Sequence, residues 1–322
     1  MAISDGSGES LPKPYSRLGK LAREIGFAAD VFRARPVFAV GYGVVVLVIF
    51  ATIAAPILTP YEPEVADSAA YLLPPSLEHL MGTDNTGMDI FTRVLYALRI
   101  DLLIALLGTI VSAGVGVPLG AYIGFYEAKK GFNSVVATTM MRAADVLQAF
   151  PVLVFALCLV AVFGQSLLSI VVAIAFVNAP VYLRIMRHQV LTLRSSRFVE
   201  AAYIAGASDF MIMRRHLTPN ASAPILSQLS VSIGWSILLT ASLSFVGAGV
   251  EAPTPEWGAM IAAGFQSIMT GQWWPSVFPG MALGLTVFGF AVVGESIEIL
   301  ADPVARRKLA QNIAHRRKGE VA

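Results

Sequence analysis

The residues of this chain able to do chemistry are few, and the densest group lies between positions 197 and 220. It reads Arg197-Phe198-Val199-Glu200-Ala201-Ala202-Tyr203-Ile204-Ala205-Gly206-Ala207-Ser208-Asp209 and ends Arg215-His216-Leu217-Thr218-Pro219-Asn220. Positions 198–205 are rich in helix formers and Gly206 breaks the run. Ser208 or Asp209 can cap the helix that follows. Thr218-Pro219-Asn220 marks another turn. Helix, glycine turn, helix makes a compact knob. Its small residues Ala201, Ala202 and Ala205 let a partner's groove come close. The chemistry on offer is mechanical: a short rigid helix conveys motion to whatever it is rooted in. Glu200 can pair with a basic group of such a partner or cap its own helix. Gly206 can be a plain stop or part of the contact.

Other charged and polar groups offer less. Arg142 and Asp145 are three residues apart, so on a helix they share a face and can form an ion pair. That pair is either structural or an element of a gate. Gly82, Thr83, Asp84, Gly87 and Asp89 have the composition of a turn, and the acidic spacing of a calcium loop is missing. Such a turn is either an outer-surface corner or a lip that receives a docked protein. Trp257 and Trp273-Trp274 flank a short apolar stretch, and indoles favour the headgroup level. The plain reading is a belt of interfacial anchors, and the sharper one is an outer helix facing a substrate path.

Several reaction classes drop out. The chain lacks G-x-x-x-x-G-K-[ST], H-E-x-x-H and G-x-S-x-G, so it offers no phosphate cradle, no zinc-protease pair and no nucleophile elbow. Its single cysteine, Cys158, permits no disulfide within the chain. His79, His188, His216 and His315 have no ligand-like spacing. No catalytic residue, metal site or cofactor is expected.

The elements that position these residues follow from composition. Of 322 residues, 56% are hydrophobic and only 14% charged, against roughly 25% charged in an average soluble domain. A net charge of +2 leaves no electrostatic footprint for nucleic acid. This is the composition of a polytopic membrane protein. Runs without Asp, Glu, Lys or Arg place spans at roughly 37–59, 101–124, 138–162, 167–190, 222–248 and 276–299. The apolar stretch 257–270 is too short to span and reads as re-entrant or interfacial. With six spans, 21 of the 23 Lys and Arg fall on one side, and only Arg93 and Arg99 on the other. Cytoplasmic loops are enriched in Lys and Arg, so both termini are expected in the cytoplasm.

The expected organisation is a cytoplasmic tail over 1–36 and a first span at 37–59. An extracytoplasmic loop at 60–100, a five-helix core at 101–300 and a basic tail at 301–322 follow. Leu18, Leu21, Ile25, Ala28, Ala29 and Phe32 recur at helical spacing, which fits an amphipathic helix in the inner headgroup region. The first span is expected to act as an uncleaved anchor. Phe150-Pro151 can kink the third span. Gly116, Gly120 and Gly124 form a small-residue face suited to close helix packing, against a second subunit among other choices. Asp101, Asp145, Glu295 and Glu298 all read as lying near helix ends, which speaks against an ion-driven carrier.

Glu200-Ala201-Ala202 with Gly206 resembles the EAA loop of bacterial ABC importer permeases. The chain from about residue 20 to 307 resembles the dipeptide/oligopeptide/nickel permease family, in its C-type subunit. The matching residues include Ala54-Ala55-Pro56, then His79-Leu80-Met81-Gly82-Thr83-Asp84 with Gly87 and Asp89, and Tyr96-Ala97-Leu98-Arg99. They continue through Asp145-Val146-Leu147-Gln148-Ala149-Phe150-Pro151, Leu243-Ser244-Phe245-Val246-Gly247 and Pro253-Thr254-Pro255-Glu256-Trp257-Gly258. Phe278-Pro279-Gly280 and Ala301-Asp302-Pro303 complete the set. Two departures stand out. Met88 takes the place of a common Arg, and Leu217-Thr218-Pro219-Asn220 that of Ile-Leu-Pro-Asn.

The resemblance implies an all-α, six-span, type-I (MetI-like) importer permease core in the bacterial inner membrane. It implies that Glu200, Ala201, Ala202, Gly206, Asp209 and Pro219 dock on a separate ATP-hydrolysing subunit. A second homologous permease, two such ATPases, an extracytoplasmic binding protein and the lipid bilayer are the implied partners. Peptide is the implied substrate, with nickel chelates or glutathione as alternatives within the family. An ion-coupled secondary carrier and a membrane scaffold are the rivals of a different class. Neither needs an EAA loop.

Overall fold

The computed structural model describes residues 29–301. Most of the expected N-terminal amphipathic helix and the basic C-terminal tail therefore lie outside the described residues. The first long helix, α1 (Pro36–Leu58), begins with proline at its first position, where a missing N–H costs nothing. After an outer cap come α2 (Ile90–Tyr126), α3 (Phe132–Ala149), α4 (Val152–Phe163) and α5 (Leu167–Leu193). The short helix α6 (Arg197–Ile204) and a tight helical turn over residues 209–220 lead into α7 (Ser222–Phe245). A loop then leads to α8 (Trp257–Ile268) and α9 (Trp274–Ala301). No strand occurs among the described residues; one isolated bridge joins Thr83 and Asp89.

Five helices are long and apolar enough to cross a membrane, and α3 with α4 makes a sixth if counted as one bent span. The single third span expected at 138–162, kinked at Phe150-Pro151, is found as two separate helices. The chain breaks at Phe150-Pro151 and α4 leaves α3 at 96°. Phe150 is extended, as a residue before proline must be, so the break replaces a mere kink.

The second span is also longer than expected. It starts at Ile90 rather than 101 because Asp89 caps it, accepting from Thr92 N at 2.7 Å. Its 37 residues reach about 55 Å, more than the roughly 30 Å of hydrocarbon. The charge of Arg93 and Arg99 hid this first stretch from a search for uncharged runs. In the fold both guanidiniums donate to backbone carbonyls, Arg93 to Pro63 at 2.7 Å and Arg99 to Thr52 at 2.8 Å.

The α2–α5 pair is the spine of the bundle. Gly116, Gly120 and Gly124 lie against Ala179, Leu183 and Arg187 of α5. A Cβ at Gly120 would overlap the Leu183 carbonyl oxygen. The small-residue face therefore serves packing within this chain rather than against a second subunit. On the other side, α7 joins α9 through hydroxyls: Ser227 donates to Gly294 O at 2.9 Å and Ser230 to Phe290 O at 2.8 Å. Such bonds hold helices together where lipid supplies no hydrophobic drive. Asn178 of α5 donates to Ser236 of α7 at 3.1 Å and closes the interior.

Candidate coupling knob and outer cap

The knob forms at one end of α2. Val199 and Ala202 are buried from α6 into a cluster with Phe125, Val190, Ile212 and Leu217. The opposite face of α6 shows Glu200, Ala201, Ile204 and Ala205 to the outside. The helix ends in a Schellman motif. Ala207 N donates to Ala202 O at 3.0 Å and Gly206 N to Tyr203 O at 2.9 Å, with Gly206 at φ +80. Ser208 caps the following turn, accepting from Met211 N at 3.3 Å. Beyond it Phe210, Met211, Arg214, Arg215 and Pro219 line an open depression of about 560 Å³. Pro219 is exposed.

Asp209 does not point outward with Glu200. Lys129, just past α2, donates to it at 2.8 Å, and the Tyr203 hydroxyl donates to it at 3.1 Å. Lys129 also sits over the Phe125 ring at 4.0 Å. Burial pushes the Asp209 carboxyl up, but these hydrogen bonds outweigh burial and hold it below the usual carboxylate range. Nearby, Arg187 of α5 grips Glu127 with two bonds, at 2.6 and 2.8 Å. That bidentate contact lowers the Glu127 carboxyl. The first of these ion pairs roots the knob beside the end of α2, and the second ties that end of α2 to α5.

Arg142 and Asp145 stand 3.8 Å apart, as one helical turn requires. Asp145 has a closer partner in Arg184 of α5, at 2.7 Å, and Gln148 joins the same guanidinium. The cluster ties the exposed α3 to α5. Its long-range member could not be read from spacing.

The outer cap forms at the other end of α2, and it turns most of its marked residues inward. Gly82, Thr83, Gly87 and Asp89 are buried. Asp89 takes the His79 ring nitrogen Nδ1 at 3.0 Å as well as capping α2. Tyr61 stacks on His79 with centroids 4.9 Å apart. One Asp84 oxygen accepts from Thr86 N at 2.8 Å and Met88 N at 3.0 Å, while the other faces Arg93 at 3.6 Å. The acidic groups of this loop are therefore spent on its own shape. The surface the cap leaves outside is mixed: Leu77, 98% exposed, and exposed Val65, Tyr71 and Leu80 share it with exposed Glu62, Glu64, Asp67 and Glu78. Arg93 supplies the cation for Asp84, and Met88 packs against it.

The tryptophans correct the anchor-belt reading. Trp257 is fully buried and donates Nε1–H to Val94 O at 3.2 Å; buried Trp274 donates to Thr83 O at 3.1 Å. Only Trp273 of the three is exposed. The indoles bolt α8 and α9 to α2 and the cap. Asp101 is corrected too. It lies more than two turns inside α2, fully buried, where sequence placed it at a helix end.

A bundle of apolar helices with a folded knob at one end and a folded cap at the other is the build of a multi-pass membrane protein. Residues 116–307 match the family described as binding-protein-dependent transport system inner membrane component. Residues 28–75 match the N-terminal TM domain of oligopeptide transport permease C. A putative peptide transport system permease protein of Brucella suis is 35% identical over 285 residues, covering 87% of this chain and 94% of that protein. The probable D,D-dipeptide transport system permease protein of Escherichia coli is 37% identical over 265 residues, covering 82% and 87%. The inward-facing MetNI methionine ABC transporter has a chain of similar fold, with a TM-score of 0.52 at 17% identity. That match covers 65% of this chain and 96% of that one. The chain belongs to the binding-protein-dependent transport system inner membrane component family, and it is an ABC importer permease subunit.

Proposed function

We propose that this subunit forms half of a peptide translocation path in the bacterial inner membrane, with both termini in the cytoplasm. A second homologous permease forms the other half. Two ATPase subunits dock on the knob, and an extracytoplasmic binding protein docks on the cap. Peptide as cargo is supported by the names of the two relatives. Orientation is supported by the crowding of Lys and Arg on the knob side.

The observation that carries the reading is the geometry of α6. One face is sealed into the bundle through Val199 and Ala202. The other presents Glu200, Ala201 and Ile204 on a helix whose exit angle is set by Gly206. A load on that outer face is delivered to the ends of α2 and α5 through Asp209–Lys129 and Glu127–Arg187. Catalysis of ATP hydrolysis belongs to the partners. The ligand shifts the inward–outward equilibrium only by its differential affinity for the two states.

The test is site-directed cross-linking in the assembled transporter. Ala201→Cys should cross-link to the ATPase subunit and, once cross-linked, block ATP-driven uptake of a labelled dipeptide. Failure to reach any ATPase from Ala201, with uptake intact, refutes the docking assignment.

A further inference from the structure

Two carboxyl groups meet in the interior of this bundle, and no part of the transport reading uses them. Glu256 is 0% exposed and Asp101 is 1% exposed. Glu256 caps α8, accepting from Gly258 N and Ala259 N at 2.9 Å each. Asp101 reaches the same helix start from α2, accepting from Trp257 N at 3.3 Å on Oδ2. The two side chains thus take three consecutive N–H groups, of residues 257, 258 and 259, at one helix start. Asp101 Oδ1 has no partner, although it is sealed from solvent.

We propose that Asp101 and Glu256 hold one proton between them, and that this acid–carboxylate bond latches α8 onto α2. Two like charges on neighbouring amides of one helix start, in a water-excluded site, repel strongly, so such pairs keep one proton. The donors decide where it sits. Both Glu256 oxygens already accept backbone N–H groups, so the bare oxygen of the pair is not on Glu256. Asp101 has the bare oxygen, so Asp101 carries the proton and donates it to Glu256.

The surroundings offer no competing charge. α7 and α8 contain no titratable side chain. The acids of α9, Glu295 and Glu298, lie near its last turns, and the one titratable side chain of α1, Tyr42, bonds Ser296 beside them. On α2, Arg93 and Arg99 are turned to Pro63 and Thr52, and Tyr96 lies against the Arg99 guanidinium. Glu251, on the loop before α8, is exposed to the outside. The latch is therefore closed while the proton is present and opens as pH rises. The proton is held at the cap end of α2, where Trp257 also binds, and the knob grips the other end.

The experiment uses the full chain in lipid nanodiscs and does not depend on the cargo or the ATPases. Infrared spectra are recorded with heavy carbon in the aspartate side-chain carboxyl. The expected result is a carboxylic-acid C=O band that shifts with the label and is absent in Asp101→Asn. Hydrogen exchange at residues 257–260 is followed in parallel, corrected for intrinsic base catalysis. In the native chain the protection should fall about tenfold on the alkaline side. In Asp101→Asn, whose amide N–H is a permanent donor to Glu256, it should stay level with pH. A label-insensitive band, or the same alkaline loss of protection in native and Asn forms, overturns the proposal. The label experiment on the native chain decides the matter even if the variant does not fold.

Discussion

Lys129 and Asp209, 80 positions apart, meet at 2.8 Å and join the end of the spine helix to the far side of the knob. This is the contact through which α6 is braced against α2, since Tyr203 of α6 bonds the same carboxylate. The knob is thus braced against the end of α2 at a defined point.

That pair sets the acid response of the knob. The Asp209 carboxyl is held below its ordinary value, so its contribution is complete above that value and is lost as pH falls through the folded one. The window lies below pH ~4. With the Asp209 side chain 37% exposed, screening keeps the effect under about 1 kcal/mol. Amide exchange in residues 197–209 should accelerate on acidification in the native chain. In Lys129→Met that acid step should be absent, with exchange already raised near neutral pH and the global thermal midpoint almost unchanged.

Gly206 should be replaceable only by a residue that tolerates its backbone. Its φ of +80 costs a β-carbon residue about 1–2 kcal/mol, and most for a β-branched one. Nothing lies within 4 Å of an added Cβ, so the penalty is conformational rather than steric. Gly206→Val should cut ATP-driven uptake several-fold and weaken ATPase association. Gly206→Asn, which accepts the left-handed region, should keep most of both. Equal loss in the two variants would point to contact at the glycine itself.

These two sites show how far sequence carried. Gly206 and the caps were legible because a left-handed turn and an orphan N–H each demand particular residue types nearby in sequence. The apolar runs located the spans because lipid excludes charge. What failed to show was long-range. Arg184 takes Asp145 from 39 positions away, and Glu256 meets Asp101 from another helix. Arg93 and Arg99 broke the uncharged run without breaking the helix, because carbonyls from the cap and α1 satisfy them. Trp257 was read by the preference of isolated indoles, which tertiary burial overrides.

The spine makes a steric prediction with an internal control. At Gly120 an added methyl collides with backbone of α5, which cannot move aside as a side chain would. Gly120→Ala should destabilise by about 1–3 kcal/mol, as overpacking does. Gly114 lies on the same helix with nothing within 4 Å of an added Cβ. Gly114→Ala should be neutral or stabilise by up to ~1 kcal/mol through helix propensity. Thermal unfolding of both variants in one detergent reads the difference. Matching midpoints would mean that α2 and α5 are not apposed as described.

Trp257 separates a structural bolt from a headgroup anchor. Its ring is fully buried, and its N–H reaches the Val94 carbonyl across 163 positions. Trp257→Phe removes that bond and leaves a small cavity where the rest of the indole was, at a combined cost of about 1–3 kcal/mol, because the Val94 carbonyl stays inside the α2 helical ladder. Trp257→Ala removes the ring as well and should cost about 3–5 kcal/mol, freeing α8 to exchange its amides and to be cut by added protease. An anchor lying among headgroups would give a different order, with Ala little worse than Phe and both dependent on lipid headgroup type. The graded loss, read in a single lipid and again in a second of different headgroup, therefore decides whether α8 is held by the bundle or by the membrane.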